Sequence, residues 1–346
     1  MVDTDMGVDD AAALAWLLVS AEPSVEVIGV STVFGNTSVE NAASNVFALL
    51  DCLGHSDVPI AVGAAVPRAR PQSHLGALLH GDDGLWGFAP RNNFTPRDRN
   101  VARFYRDVLR SHPDAILLTL GPLTNLAAVS AADPGVLHGF SQIVVLGGAK
   151  VGGSITPVAE MNFWQDPESA AEVLAQALPV ELIVRDAHAE FVLTDEEVHA
   201  LCAADSPAAR FLAGPLSRYA TVMSTMAEGQ LGLPDVVAAV YAAVPSVGLD
   251  VRPACVKVVT EGDSLTRGQS IIGLTATEKI PMYDDLDNLE AAVTRAAMDA
   301  GFDLGAYLTT IAALGKDNAN VVMRVAADRI ASMFMHAITA RKWRTG

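Results

Sequence analysis

The sequence predicts an α/β fold with a mostly parallel central sheet covered by helices on both faces. Three observations predict it. Short β-branched or apolar runs alternate with helical patterns as far as about residue 244. Runs such as Val25–Val33 are apolar on both faces of the pleat, as strands buried from both sides are. The unusual polar residues stand just after the runs, where open parallel sheets bind ligands beyond their carboxyl strand ends.

The elements follow in order. Two residues precede Asp3, few for a buried first strand, so that strand is expected as a stub or as the end of a strand beginning upstream. Ala11–Val19 reads as a buried helix. Val25–Val33 is a strand running into Phe34-Gly35-Asn36-Thr37. Residues 38 to 53 read as a helix and Pro59–Val62 as a short strand. Residues 64 to 98 form a long loop rich in Gly, Pro and Asp, with His80-Gly81-Asp82-Asp83-Gly84-Leu85-Trp86-Gly87 inside it. A loop of that length is usually functional. A helix over 99–111, the strand Ala115–Leu120 and a helix opening at Gly121-Pro122-Leu123-Thr124-Asn125 come next. The strand Ile143–Leu146 enters Gly147-Gly148, and the loop 149–165 carries Glu160-Met161-Asn162. Asp166-Pro167-Glu168 starts a helix with proline in its first turn. Val180–Val184 is a strand, and helical patterns fill most of 194–244. Beyond 250 the reading is a hairpin (253–259, 269–273), a helical pair within 280–316, the strand Asn320–Val325 and a last helix over 327–341. The whole of 1–346 reads as one domain.

Composition narrows the function. Of 346 residues, 51% are hydrophobic, ample for a large core. A net charge of −17 and the lack of any basic run argue against nucleic acid or a membrane surface as partner. No stretch of spanning length and no signal peptide is visible. Cys52, Cys202 and Cys255 are odd in number and far apart, which reads as buried thiols of a cytoplasmic protein.

The chemistry concentrates at the start. Asp3, Asp5, Asp9 and Asp10 put four carboxylates into eight positions, around Gly7 and just before the helix. Gly7 is expected to permit a tight backbone path. A helix start favours two acids in its first turn, Asp9 and Asp10. Four acids repel one another, and a hard divalent cation is the usual relief. A P-loop is excluded because no Gly-Lys-Ser/Thr follows. An EF-hand is excluded because Leu14 stands where its bidentate Glu belongs. A capped helix after a solvated acidic turn, and an Asp-x-Asp phosphatase start, stay open on this stretch alone.

Further segments extend the pattern. Asp3-Thr4-Asp5-Met6-Gly7-Val8-Asp9-Asp10 resembles the aspartate signature of the nucleoside hydrolases, the inosine–uridine-preferring family. Ser31–Asn36, His80–Leu85, Leu120–Asn125, Pro157–Asn162 with Asp166-Pro167-Glu168, Leu265–Gly268 and Asn318–Val321 are similar to that family's later segments and keep its order. The resemblance covers nearly the whole chain apart from about 280–316, which looks like a helical insertion. It implies a Rossmann-like nucleoside hydrolase fold and hydrolysis of the N-glycosidic bond of ribonucleosides with bound Ca²⁺. It also implies a homodimer or homotetramer.

The resemblance assigns roles residue by residue. Asp5 and Asp10 would ligate calcium with Asp235 and the backbone carbonyl of Leu120. Asp5 would also take a proton from the attacking water. Asp9 and Asn162 would hold the ribose 2′- and 3′-hydroxyls, Glu160 the 5′-hydroxyl, and Asn36 would sit by the water and the ribose. Asp3 would support from behind. This assignment suits attack through an oxocarbenium-like transition state, whose positive charge acids favour. Two positions depart from the family. Ser154 stands where an Asn usually contacts the ribose 5′ end. Pro234 replaces the His that precedes the late calcium-binding Asp and is the favoured leaving-group acid. In its absence His80 could swing in on the long loop as proton donor, or Trp86 could stack on a purine. The sequence therefore leans to purine nucleosides. A nucleoside- or ribose-binding protein without catalysis is the competing reading, motivated by Pro234 and Ser154.

Overall fold

The computed structural model describes residues 1–21, 23, 25–90, 92, 94–95, 98–226, 231–283 and 286–340. Its strands are β1 (Val2–Thr4), β2 (Val30–Thr32), β3 (Ile60–Val62), β4 (Ile116–Thr119), β5 (Gln142–Leu146) and β6 (Val180–Ile183). They continue with β7 (Val192–Leu193), β8 (Leu231–Gly232), β9 (Gly248–Val258), β10 (Ser270–Gly273) and β11 (Ala319–Val325). Nine of them form one sheet in the order β10-β9-β11-β6-β5-β4-β1-β2-β3. From β11 to β3 every pairing is parallel; β9 and β10 are antiparallel additions at one edge. The small pair β7–β8 stands apart.

The order reverses at β1. The chain runs outward through β2 to β3, then returns to build β4, β5 and β6 on the other side. A crevice opens at such a switch point beyond the carboxyl strand ends. Both sheet faces are covered. Val144, Leu146, Leu118 and Ile183 face a core built with the helices Val8–Val19, Val39–Cys52, Pro207–Met226, Pro234–Ala243 and Ala327–Thr339. Ile143, Val145, Leu117 and Leu182 face the opposite core under the helices Val101–Ser111, Thr124–Ala132 and Pro167–Leu174. The strand alternation of two thus feeds two separate cores. In the first helix everything from Val8 to Leu17 is buried, and the Trp16 indole N–H donates to the Met333 carbonyl of the last helix.

Several expectations change. β1 is short, yet it lies between β2 and β4 with all three residues buried. β2 is three residues rather than the nine of Val25–Val33, because pairing with β1 and β3 fixes its length, not β-branching. The loop 64–98 contains a short helix, Ala77–His80. The 280–316 region holds three helices rather than a pair: Ala276–Tyr283, Leu286–Met298 and Leu304–Leu314. Cys52 is exposed and only Cys255 is fully buried; all three thiols are free. No helix among the described residues is long and apolar enough to cross a membrane.

Candidate active site

The turn from β1 into the first helix sits at the carboxyl end of β1, where the strand order reverses. Asp3, Asp5, Asp9 and Asp10 are all buried. The left-handed residue of the turn is Met6, with φ 49°, whereas Gly7 has φ −80°. Gly7 is there for space instead: a Cβ would lie 2.6 Å from Asn36 Nδ2 and 2.7 Å from His80 Nδ1. Thr4 stabilises the turn. Its hydroxyl accepts the Met6 N–H at 3.0 Å and donates to Asp10 Oδ1 at 2.5 Å. Asp10 Oδ2 in turn accepts the Gly7 N–H at 2.8 Å.

β2 delivers the next layer. Asn36 donates its backbone N–H to Asp5 Oδ2 at 2.8 Å. Its Nδ2 bridges Asp5 Oδ1 and Asp10 Oδ2, each at 3.1 Å. Gly35 must lack a side chain, since a Cβ would fall 1.8 Å from Asp5 Oδ2. Asp3 faces away from this group. Its Oδ1 accepts from Ser31 Oγ and Asn125 Nδ2, tying β1 to β2 and to the helix Thr124–Ala132.

Asp235 arrives from far along the chain, in the first turn of the helix Pro234–Ala243, and is buried. Asp9, Asp10 and Asp235 can each offer an oxygen within 4.8 Å of the others. Asp5 joins this trio through its contact with Asp10. The resemblance implied Asp5, Asp10 and Asp235; among the described residues the trio whose oxygens come within 4.8 Å of one another has Asp9 in place of Asp5. Burial pushes the Asp9 carboxyl up to about 7, and the charge of Asp10 adds to it. Burial, then the same neighbour, pushes Asp5 and Asp235 well above the usual carboxylate range. Asp9 Oδ1 is buried with no hydrogen-bond partner among the described residues. An all-oxygen set of buried carboxylates with one oxygen unpartnered fits a hard divalent cation.

β4 and β5 supply the far wall. The Leu120 carbonyl accepts from Asn162 Nδ2 at 2.6 Å, and the Leu146 carbonyl accepts from the same amide at 3.2 Å. Asn162 therefore clips together two strand ends. Glu160 caps the helix Met161–Gln165 by accepting the N–H groups of Asn162 and Phe163, and it also accepts that of Gly148. Burial still pushes its carboxyl up to about 7. Ser154 is exposed, and its hydroxyl accepts the Met161 N–H at 3.1 Å.

His80 is not on a swinging loop. It is 4% exposed, at the end of the helix Ala77–His80. Its Nδ1 accepts the Val8 N–H at 3.0 Å and lies 3.8 Å from Asp9 Oδ1. Burial lowers its pKa to about 4, so the ring is neutral at pH 7. Trp86 is half-buried, with φ 56°, and its indole N–H donates to the Leu79 carbonyl at 2.9 Å. Only its ring faces remain to meet a ligand. Sequence reasoning missed Thr4 and Tyr219. Thr4 lay inside the motif, but its side-chain bond to Asp10 spans six residues and matches no capping-box spacing, so no local signal announced it. The buried Tyr219 stacks on His80 with ring centroids 5.3 Å apart, and nothing in its own neighbourhood announced that. Met223 packs against the larger core, and the side chain of its helical neighbour Met226 lies outside the described residues.

Comparison with known proteins bears on this arrangement. The sequence matches the family described as inosine-uridine preferring nucleoside hydrolase over residues 1–331. It is 35% identical over 215 residues to a probable uridine nucleosidase 1 of Oryza sativa subsp. japonica, covering 61% of this chain and 66% of that one. It is 30% identical over 275 residues to a non-specific ribonucleoside hydrolase, RihC, of Escherichia coli, covering 79% of this chain and 87% of that one. The matched part spans 59% to 66% of the length of the first three curated relatives. Among solved structures, a plant nucleoside hydrolase, the PpNRh1 enzyme, superposes with a TM-score of 0.83 at 26% identity over 98% of both chains. Its α/β architecture, a mostly parallel sheet between helices, is the one described above.

Proposed function

The chain belongs to the inosine-uridine preferring nucleoside hydrolase family, and we propose that it hydrolyses the N-glycosidic bond of ribonucleosides to ribose and free base. The observation that carries this reading is the buried cluster of Asp5, Asp9, Asp10 and Asp235 at the switch point, with an oxygen of Asp9 left unpartnered. Asp5, Asp10, Asp235 and the Leu120 carbonyl would hold a calcium ion, with Asp9 beside them. Bound there, calcium offsets the repulsion among the carboxylates and makes water a better nucleophile at neutral pH.

The residues of the chain do the rest. Asp5, fixed by two bonds from Asn36, takes the proton of the attacking water. The clustered carboxylates favour the positive charge that develops on the sugar. Asp9 and Asn162 hold the 2′- and 3′-hydroxyls, which spends binding energy on orientation. Glu160 already accepts three backbone N–H groups, so a 5′-hydroxyl would donate to a remaining lone pair. The Ser154 hydroxyl orders the start of the helix Met161–Gln165, which leaves the 5′ end to Glu160. Purine nucleosides come first among substrates, because Pro234 has no proton to give and a purine has a basic ring nitrogen. The same reading includes a cytoplasmic homodimer or homotetramer.

The test is a reducing-sugar assay on inosine, adenosine, uridine and cytidine, with added calcium and with chelator. Ribose release that chelator abolishes is expected. No release from any nucleoside, with calcium measurably bound, would instead favour the binding protein. Uridine hydrolysed faster than inosine would overturn the purine preference alone.

A further inference from the structure

The first helix begins with a residue that cannot cap it. Val8 is its first residue, so the Val8 N–H has no partner within the helix. A Ser, Thr, Asp or Asn before the first turn usually accepts the N–H of the second or third residue, and even such a cap would leave the first N–H, that of Val8, to find another acceptor. Here that position is Gly7, where a side chain would strike Asn36 and His80. Val8 is fully buried, so water cannot serve. A buried N–H without a partner is costly. The acceptor comes from 72 residues away: His80 Nδ1, at 3.0 Å.

We propose that His80 is a positioning residue: it caps the helix that carries Asp9 and Asp10, and it does not protonate the leaving base. Three observations carry this. The bond to Val8 N–H occupies Nδ1 and fixes the ring as the Nε2–H tautomer. The Tyr219 ring lies against the imidazole at 20° between planes, which fixes its tilt. The ring is buried under Gly7, with no room to leave without moving the turn that holds the acids. Asp9 follows Val8 directly, so a displaced Val8 N–H displaces the Asp9 carboxylate with it. The consequence for turnover rests on the hydrolase reading above; the consequence for the helix start does not.

His80→Asn and His80→Phe separate the roles. Asparagine keeps an acceptor close to where Nδ1 stood but has no ring nitrogen to protonate; phenylalanine keeps the ring and loses the acceptor. Three readouts are compared: hydrogen exchange of the Val8 amide, calcium titration by calorimetry, and turnover of inosine against p-nitrophenyl riboside, whose leaving group needs little protonation. The expected result is Val8 exchange about tenfold faster in H80F than in wild type. Calcium should bind roughly tenfold or more weakly to H80F, as when a residue orienting a ligand is lost. Both substrates should slow by the same factor in H80F, and H80N should recover most of each loss. H80N alone can overturn the proposal, without H80F folding. If it slows inosine severely while sparing the nitrophenyl substrate, His80 is the leaving-group acid. Unchanged Val8 exchange in a folded H80F would equally refute the capping role. If the wild type releases no ribose, the hydrolase reading fails, and Val8 exchange still decides this one.

Discussion

Replacing Thr4 with valine removes one hydroxyl and keeps the shape. That hydroxyl is buried and makes two bonds, donating to Asp10 Oδ1 at 2.5 Å and accepting from Met6 N–H at 3.0 Å. Valine leaves both groups without that partner. A buried donor or acceptor left unpaired costs about 1–3 kcal/mol. Met6 adds to the loss, because its φ of 49° depends on surroundings that over-determine it. The expected destabilisation is about 3 kcal/mol. For a chain of 346 residues the unfolding entropy is about 0.7 kcal/mol per kelvin, so Tm should fall by roughly 4 °C. Thr4→Ser keeps the hydroxyl and should lose less than about 1 °C. Scanning calorimetry in chelator measures both variants; calcium titration then asks whether T4V also misplaces Asp10. A valine variant that melts with the wild type and binds calcium equally well would show that Thr4 supports neither the turn nor Asp10.

Four further outcomes are expected. Asp10→Asn should lower ribose release by roughly a hundredfold or more while circular dichroism stays native, since the ligand charge is lost but not the fold. Near-normal rates at low calcium would take Asp10 out of the site. 2′-Deoxynucleosides should be poorer substrates than ribonucleosides by about 10⁴ in kcat/KM, because Asp9 and Asn162 would be left unpaired, and equal turnover of adenosine and 2′-deoxyadenosine contradicts the ribose assignment. Trp86→Ala should slow inosine more than p-nitrophenyl riboside if the indole face stacks on the base; equal slowing makes Trp86 a packing residue. Glu160 gives a pH dependence. Burial raises its folded pKa to about 7 from the ordinary 4.5, so its stabilising protonated form is fully present below pH 4.5 and is lost as pH rises through 7. Glu160→Gln should therefore remove a fall of roughly 3 kcal/mol across that window, read from urea denaturation at pH 4.5 and 7.5, and an unchanged difference would mean that Glu160 is ionised throughout.

Local patterns determined much of this protein. β-branched runs and the first apolar helix needed no partners to be read, because hydrophobic period and burial are written residue by residue. The ordered segments from Asp3 to Val321 carried the family; the resemblance named Asp5, Asn36, Glu160, Asn162 and Asp235, and the missing acid at Pro234 pointed to His80. The first helix shows where local information ends. Its two acids in the first turn were legible; that its cap would be His80 was not, because an acceptor 72 residues away leaves no mark beside Gly7. By its own neighbours Asp235 reads only as a helix-start acid beside a proline; the resemblance named it a ligand, and folding sets it against Asp9 and Asp10. Tyr219 carried no signal at all until the helix Pro207–Met226 laid its ring on His80. The strand ends also moved: β2 contracted from nine residues to three, since a ladder exists only where a neighbour offers one. Sequence fixes which groups are available and which elements they ride on. The packing of those elements fixes which groups meet, because distance in space is set by the topology of the sheet and not by spacing along the chain.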